Sequence, residues 1–355
     1  MKRRVFLQTS LGLGAVGTPG GLGWLAAAHA SLAPHRDSTD PPWHDRTLTA
    51  LGTVLSFRVA HADPAQAERA LDAAVDIIRH VEAHMSLFNP DSAICRLNRD
   101  GVLRSPHPDL VRIFQLAQSV SARSGGAFDV TVQPLWERFE AAQRQGALPS
   151  ASDVAVARSA VGWQGLEVSN AAIRLRRPGM GVTLNGIAQG FAADLVRSQL
   201  QAHGIRQALV NAGEWTSLGR PDAQRDWMLG IADPRLEQAF MTRVALGGRS
   251  IATSADNACS FSADRRHHHI FDPRTGYSPT ELAGVTVAAP SCALADALTK
   301  VMFVAGFHGA LRLAAQWQVD VLVVDKAGRW QATPGLQLHT GGASTQQRDP
   351  FTPIH

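Results

Sequence analysis

One acidic residue, Asp296, lies in an otherwise apolar, alanine-rich stretch near the end of the chain. Its neighbours Leu294, Leu298, Val301 and Met302 follow a helical spacing, which places the carboxylate in the first turn or two of a predicted helix. A carboxylate in that position either caps the helix or binds a hard cation, and Mg²⁺ prefers such oxygen ligands. The residue spacing leaves both interpretations open.

The segment His269–Gly276 brings several reactive side chains into one short stretch. It contains a candidate base in His269, an acid, an arginine suited to phosphate, and a turn. His267 and His268 directly precede it, so a histidine-rich loop without catalytic function is the alternative.

Two glycine-containing segments could approach a ligand closely. In Gly125–Asp129 the glycines permit close backbone approach, and Asp129 could accept hydrogen bonds from a purine or a ribose. Leu184–Gly190 lies between a predicted strand and a predicted helix, where free N–H groups and the helix dipole favour a diphosphate. Each segment alone is also typical of an ordinary loop, and neither matches a dinucleotide fingerprint or a P-loop.

An aromatic side chain ends the first predicted helix. The segment Ser86–Ser92 leaves this helix through a turn that places Phe88 at the helix end. A planar ring of a ligand could stack there. The alternative is that Phe88 is a hydrophobic plug.

The spacing of apolar side chains predicts the elements that position these residues. Asp63-Pro64 supplies an N-cap and a first-turn proline to a helix whose apolar stripe ends at Met85. A second helix, around Leu110 to Val120, is ended by Gly125-Gly126. Strands are predicted at 48–60, 165–175, 180–184, 208–211, 227–231, 243–247, 284–289 and 321–325, and further helices at 187–203, 292–305 and 308–317. This order favours an α+β fold over a doubly wound sheet.

The N-terminus predicts export. Arg3-Arg4, a glycine-rich apolar stretch and the small-x-small site Ala28-His29-Ala30 indicate a twin-arginine signal peptide at 1–30. An amphipathic first helix is the alternative, which the many glycines disfavour. A linker at 31–46, one domain at 47–332 and a mobile tail at 333–355 follow. Because no other apolar run reaches the roughly 18 residues of a membrane span, we expect a soluble periplasmic protein.

The charge balance and the cysteines exclude two classes of function. Lys and Arg total 34 against 30 Asp and Glu, a net charge of +4, and three of these positive charges belong to the signal peptide. The remaining balance gives no electrostatic basis for binding nucleic acid. Three cysteines, without CxxC or Cys/His ligand spacing, indicate neither a disulfide framework nor a zinc site.

Taken in order over about residues 50–306, these segments resemble the FAD:protein FMN transferase (ApbE) family. The matching segments are Leu51–Thr53, Met85–Asn98, Gly125–Asp129 with Pro134, Gly186–Gly190 with Asp194, Ile251–Ser254, His269–Gly276, and Ala295–Leu298 with Gly306. The resemblance implies a T-fold-related α+β architecture: two lobes of mainly antiparallel sheets with packed helices.

The resemblance also implies an activity and a site. FAD would be bound, Mg²⁺ would bridge its pyrophosphate, and FMN would pass to a Thr or Ser hydroxyl of an acceptor protein with release of AMP. A membrane-associated electron-transfer protein is the expected acceptor. Asp296 and the Gly186 carbonyl would hold the metal, and His269 would be the general base. The FAD site would be lined by Leu51, Phe88, Ala127, Phe128, Asp129, Thr183, Gln189 and Ile270.

The sequence departs from the family pattern at several of these positions. Thr183 and Gln189 stand where the family usually carries an acid and a lysine, and Glu214 stands where a glycine is common. Lys300 replaces the usual threonine four residues after the metal-binding aspartate, with Thr299 one position earlier. A lysine ammonium has no lone pair for a metal. Either Thr299 becomes the ligand, or Lys300 replaces part of the charge of the cation and joins the catalytic residues.

Two other functions stay open. The departures would suit a flavin-binding protein that has lost transfer, although a binder would not need both His269 and Asp296. A metal-dependent hydrolase that splits FAD into FMN and AMP would differ only in using water as the nucleophile.

Overall fold

The computed structural model describes residues 41–236 and 239–339. The predicted signal peptide, residues 31–40 of the predicted linker and residues 340–355 of the predicted tail lie outside the described residues. The described strands are β1 (Trp43–Ala50), β2 (Thr53–Ala60), β3 (Val102–Arg104), β4 (Leu166–Val168), β5 (Ala172–Leu175), β6 (Gln207–Asn211), β7 (Trp215–Leu218), β8 (Met228–Ala232), β9 (Phe240–Ala245), β10 (Ser250–Ala255), β11 (Leu282–Ala289), β12 (Asp320–Asp325), β13 (Trp330–Ala332) and β14 (Leu338–His339).

Seven α-helices and a short 3₁₀ helix, Trp163–Gly165, accompany these strands in the described part of the chain. The α-helices are α1 (Pro64–Met85), α2 (Ala93–Asp100), α3 (Pro108–Arg123), α4 (Gln133–Gln143), α5 (Ala151–Ser159), α6 (Ala188–Ala202) and α7 (Cys292–Trp317).

The strands form three sheets. The central sheet has the order β1-β2-β6-β7-β10-β11-β12-β13, and two smaller sheets have the orders β14-β9-β8 and β3-β5-β4. All of these pairings are antiparallel. The predicted α+β class with mainly antiparallel sheets is therefore confirmed.

Both faces of the central sheet are covered. On one face α1, α6 and α7 pack their apolar sides against the strands, with Leu71, Val196 and Leu298 in the same core as Phe57. On the other face the β14-β9-β8 sheet closes a second core around Trp215 and Leu322. Strand β11 is buried along its whole length, because it is covered on both faces. The site-bearing helices therefore pack on a sheet that is covered on both faces.

Helix α1 shows why the helix predictions succeed. The Asp63 side chain accepts a hydrogen bond from the Ala65 N–H, and Pro64 occupies the first helical turn. The apolar stripe that ends at Met85 is buried, as its spacing predicts. Helices α3 and α6 also lie where they are predicted.

Helix α7 carries Asp296, Thr299 and Lys300 and is broken once. Gly306 has φ 73° and ψ −179°, which separates the two helices predicted at 292–305 and 308–317. By length and composition α7 could cross a membrane, so the expectation that no such segment follows the signal peptide is wrong. More than half of its most apolar stretch is buried inside the protein, as expected of a core helix.

Several predicted boundaries need correction. Residues 48–60 form two strands rather than one, because Leu51 and Gly52 adopt positive φ and turn the chain. Strand β1 already begins at Trp43, inside the predicted linker. Strands β4 and β5 form a hairpin within 165–175. In the predicted tail, β14 pairs with β9.

The strand predicted at 180–184 is not formed. The Asn98 side-chain amide donates to the Val182 carbonyl at 2.8 Å and accepts from its N–H at 2.7 Å. One side chain thereby supplies the hydrogen bonds that a neighbouring strand would have made. An apolar segment can thus be buried as a loop.

Candidate active site

Asp296 lies near the N-terminus of α7 and is 1% exposed. Its Oδ2 accepts the Gly190 N–H of α6 at 3.1 Å, and its Oδ1 accepts the Lys300 ammonium at 2.5 Å. A Cβ on Gly190 would collide with the Cys292 carbonyl, so glycine permits the close approach of α6 to α7. The carboxylate thus meets the positive end of one helix dipole and a buried cation at once.

The Lys300 ammonium is the cation that binds Asp296. It also donates to the Asp296 carbonyl at 3.1 Å, and the lysine side chain is 16% exposed. A Cβ on Gly186 would lie 3.2 Å from the Lys300 Cε, so the lysine stem runs along the segment implied to bind metal. The cluster therefore contains a positive charge that the chain itself supplies.

Thr299 is buried, and its hydroxyl is hydrogen-bonded within the protein. Its hydroxyl, 0% exposed, donates to the Asp296 carbonyl at 2.6 Å and lies 2.8 Å from the Ser254 Oγ of β10. The set implied for Mg²⁺, namely Gly186, Asp296 and Thr299, therefore does not fit that ion as arranged. Both Asp296 oxygens and the threonine hydroxyl already make hydrogen bonds, and the partner of Oδ1 is the Lys300 ammonium.

Glu214 adds a second buried acid to this region. Its Oε2 accepts the Thr253 N–H at 3.0 Å, and the residue is 7% exposed. Burial and then the Asp296 carboxylate raise the pKa of Glu214 well above its usual value, whereas Lys300 opposes that shift. The two departures Glu214 and Lys300 thus interact electrostatically.

Asp194, on α6, orients the helix that carries Asp296. Its carboxylate accepts the Ser291 hydroxyl at 2.8 Å and the N–H groups of Cys292 and Ala293, each at 2.9 Å. These are free donors of the first turn of α7. Asp194 is therefore a positioning residue for Asp296.

His269 is held as a neutral base. Its Nδ1–H donates to the Cys259 carbonyl at 3.2 Å, which leaves the lone pair on Nε2. Burial lowers the pKa of His269 to about 4, and the nearby Lys300 ammonium contributes. Its neighbour His268 is fully buried, donates from Nε2 to the Pro279 carbonyl at 3.0 Å and has a pKa lowered by burial to about 3. His268 is structural, whereas His269 can take a proton.

Arg274, in the same segment, is not a free phosphate ligand. Its guanidinium binds Asp272 through Nε at 2.9 Å and through a terminal nitrogen at 2.9 Å. The pair holds the turn that follows His269.

The residues predicted to line a flavin site divide into exposed and buried groups. Phe88 is 57% exposed, so the interpretation as a hydrophobic plug is wrong. Leu51 lies at the β1–β2 turn, where its N–H donates to the Glu82 carboxylate at 2.9 Å. The Gln189 side chain reaches the Leu51 carbonyl at 3.4 Å. These contacts link the turn to α1 and α6.

The buried group includes an aromatic ring beside the Lys300 side chain. Ala127, Phe128 and Ile270 are 7%, 5% and 3% exposed. A Cβ on Gly186 would lie 3.5 Å from the Phe128 ring, so this ring borders the lysine stem. The apolar wall and the charged cluster are thus adjacent.

Asp129 and Thr183 serve their own loops. The Asp129 carboxylate accepts the N–H and hydroxyl of Thr131 at 2.8 and 2.7 Å and the Trp163 N–H at 2.9 Å. Burial raises the pKa of Asp129. The Thr183 hydroxyl accepts the Asn185 N–H at 3.2 Å, directly before Gly186. Both side chains already order the backbone that would face a ligand.

Sequence reasoning missed three contributors to the site. Asp194 and Ser254 belong to matched segments but had no assigned role, and Glu214 was recognised only as a departure. The signal for Asp194 is an acid amid the apolar positions of α6. Nothing local indicates that Ser254 meets Thr299.

Known proteins resemble this chain in sequence and in fold. The model of the ApbE family matches residues 51–323. A Klebsiella pneumoniae (strain 342) protein named FAD:protein FMN transferase is 31% identical over 324 residues, covering 86% of this chain and 92% of the relative. The apo Pseudomonas stutzeri flavinyl transferase ApbE structure is 29% identical, with TM-score 0.72 over 84% of this chain and 96% of that one. The Thermotoga maritima ApbE structure, 24% identical with TM-score 0.76, covers 82% of this chain and 97% of its own and shares the fold.

Proposed function

The chain belongs to the ApbE family and is an FAD:protein FMN transferase, and we propose that it attaches FMN to a Thr or Ser hydroxyl of an acceptor protein and releases AMP. The observation that carries this proposal is the buried Asp296–Lys300 pair of α7, which lies against the start of α6 and beside Gly186 and an apolar wall. This arrangement offers a cation to a pyrophosphate next to a surface suited to a flavin.

The proposed step is a phosphoryl-type transfer. The acceptor oxygen bonds to the phosphorus of the FMN half while the bond from that phosphorus to the bridging oxygen breaks. AMP leaves with that oxygen. The proton of the hydroxyl passes to Nε2 of His269, which is neutral because burial lowers its pKa to about 4. Positioning and charge neutralisation dominate such reactions.

We assign the neutralisation of the negative pyrophosphate charge to Lys300. Mg²⁺ would supply the same neutralisation in a site with free oxygen ligands. The Lys300 ammonium already binds Asp296 Oδ1. We therefore assign the charge neutralisation to this ammonium, and we expect a weaker Mg²⁺ requirement than the resemblance implies. Asp296 holds the ammonium in place, and Asp194 holds the helix.

Location and partner are also proposals. The twin-arginine start supports transfer in the periplasm, onto a membrane-associated electron-transfer protein. The exposed Phe88 supports a flavin site open to a second protein.

The experiment is to incubate the mature protein with FAD, with and without Mg²⁺, and an FMN-acceptor domain, then to record flavin fluorescence on the denatured acceptor. The expected result is a covalent band and an equal amount of AMP. AMP without a band would indicate an FAD hydrolase. Bound FAD with neither product would indicate a binding protein.

A further inference from the structure

Three histidines and an aspartate meet where the end of α1 approaches the start of α3. The ring centroids of His80 and His107 lie 4.3 Å apart, and the His84 ring lies 4.4 Å and 5.0 Å from them. Asp109 faces the first two, with its Oδ2 3.2 Å from His80 Nε2 and 3.6 Å from His107 Nδ1. This group has no role in the flavin chemistry proposed above.

The spacing matches a metal centre. His80, His107 and Asp109 each offer a ligand atom, and these atoms all lie within 4.8 Å of one another. Among residues 41–236 and 239–339, no other trio of His, Cys, Asp or Glu has this spacing. Ligand atoms about 2.0–2.2 Å from a tetrahedral Zn²⁺ stand roughly 3.4 Å apart. The two distances to Asp109 Oδ2 are close to that value.

The ligand atoms make hydrogen bonds that a bound ion would replace, since His80 Nε2 lies within hydrogen-bond distance of Asp109 Oδ2, at 3.2 Å. Arg112 binds the other oxygen of Asp109, Oδ1, at 3.0 Å. His84 Nδ1–H donates to the His80 carbonyl at 2.8 Å, which fixes its ring and leaves Nε2 as an acceptor. His107 Nδ1 accepts the Asp109 N–H at 3.2 Å, a contact that a bound ion would replace. The His107 side chain is 41% exposed, so the cluster is open to ions in solution.

We propose that His80, His107 and Asp109 bind a divalent transition-metal ion, with Zn²⁺ the ion whose nitrogen and oxygen preference they match. His84 lies beside both imidazoles and is the candidate fourth ligand. The ion would join the C-terminal part of α1 to the N-terminus of α3. Because it binds the folded state, it stabilises the protein by mass action.

The test uses the mature protein without a histidine tag. Zn²⁺ binding is titrated by calorimetry, Co²⁺ is added to record its visible spectrum, and Tm is measured with and without Zn²⁺. The variants are His80→Gln and Asp109→Asn, and the control is His308→Gln, an exposed histidine of α7.

We expect one saturable site per chain, an intense tetrahedral Co²⁺ spectrum and a Zn²⁺-dependent rise in Tm. Both variants should weaken binding about tenfold or more and lose the rise in Tm, while the control keeps both. Equal Zn²⁺ binding by His80→Gln and the unmodified protein, or no saturable site, would overturn the proposal. If His80→Gln does not fold, Asp109→Asn gives the same decision.

Discussion

Two corners of the molecule pair a carboxylate with basic side chains, and they differ in burial. At the α6–α7 junction Asp296 is 1% exposed and binds the Lys300 ammonium. At the α1–α3 corner the Asp109 side chain is 19% exposed and faces His80 and His107. A lysine ammonium is itself a cation, whereas neutral imidazoles are ligands for one. The buried corner therefore holds a permanent charge, whereas the α1–α3 corner offers ligands for an exchangeable ion.

The largest expected effect follows from removing the buried carboxylate. Asp296→Ala should abolish transfer, by at least about a hundredfold, because Lys300 loses its partner and the pyrophosphate loses a fixed cation. The folded state should persist, as checked by circular dichroism alongside the acceptor fluorescence assay. Asp72→Ala, which removes a 67% exposed carboxylate, is the control and should transfer normally. Full activity of Asp296→Ala would exclude the assigned site.

Replacing Lys300 should make the Asp296 site depend on a bound metal ion, as we propose for the histidine cluster at the α1–α3 corner. Lys300→Thr removes the ammonium and frees an Asp296 oxygen, so transfer should become dependent on Mg²⁺, by about tenfold or more. The assay is initial rate against Mg²⁺ concentration. Lys300→Met, which keeps an unbranched stem without a hydroxyl, should lose activity, and added Mg²⁺ should not restore it. An unchanged Mg²⁺ response in Lys300→Thr would show that Lys300 does not replace a metal ion.

The buried histidines should make the core sensitive to acid. The pKa of His268 is about 3 in the fold against 6.5 ordinarily, so the unfolded chain binds the proton more readily. Stability from the neutral ring is complete above pH 6.5 and is lost as the pH falls toward 3. Between pH 7 and pH 5 the loss contributed by His268 is about 2 kcal/mol.

Urea denaturation at both pH values measures this loss. His268→Gln should reduce the pH dependence by the His268 contribution, whereas His308→Gln, at an exposed position, should leave it unchanged. A slope that is the same in both variants would assign the acid sensitivity to other groups.

The smallest effect belongs to the exposed aromatic ring. Phe88→Ala should weaken FAD binding about two- to tenfold, since a stacking contact is worth about 0.5–1.5 kcal/mol. Thermal stability should not change, because the ring is 57% exposed. Titration of FAD by fluorescence quenching measures the affinity, with Leu148→Ala, at a 43% exposed site, as the control. Unaltered affinity would place the flavin elsewhere.

Local signals made much of the fold predictable. Helix α1 could be located because its cap, proline and apolar stripe all lie within its own sequence. The short strands β7 and β10 could not, because their burial depends on neighbours far along the chain. The false strand at 180–184 has the same cause, since Asn98 lies on another element.

The candidate site also contains contacts that can be inferred from the sequence and contacts that cannot. The Asp296–Lys300 pair follows from the i, i+4 spacing of one helix and can be inferred from the sequence. The Gly190 and Asp194 contacts require the packing of α6 on α7, which the sequence does not show. The imidazole cluster is intermediate: His80 and His84 are one helical turn apart, but only the fold brings Asp109 to them.

The break at Gly306 has a consequence for local unfolding. Residues 292–305 are mostly buried, whereas the stretch after Gly306 is largely half-buried or exposed. A helix interrupted in this way need not open as a single cooperative unit. We therefore expect amide protons beyond Gly306 to exchange with solvent through fluctuations that leave the first half closed, so fraying at the far end of α7 does not reach Asp296.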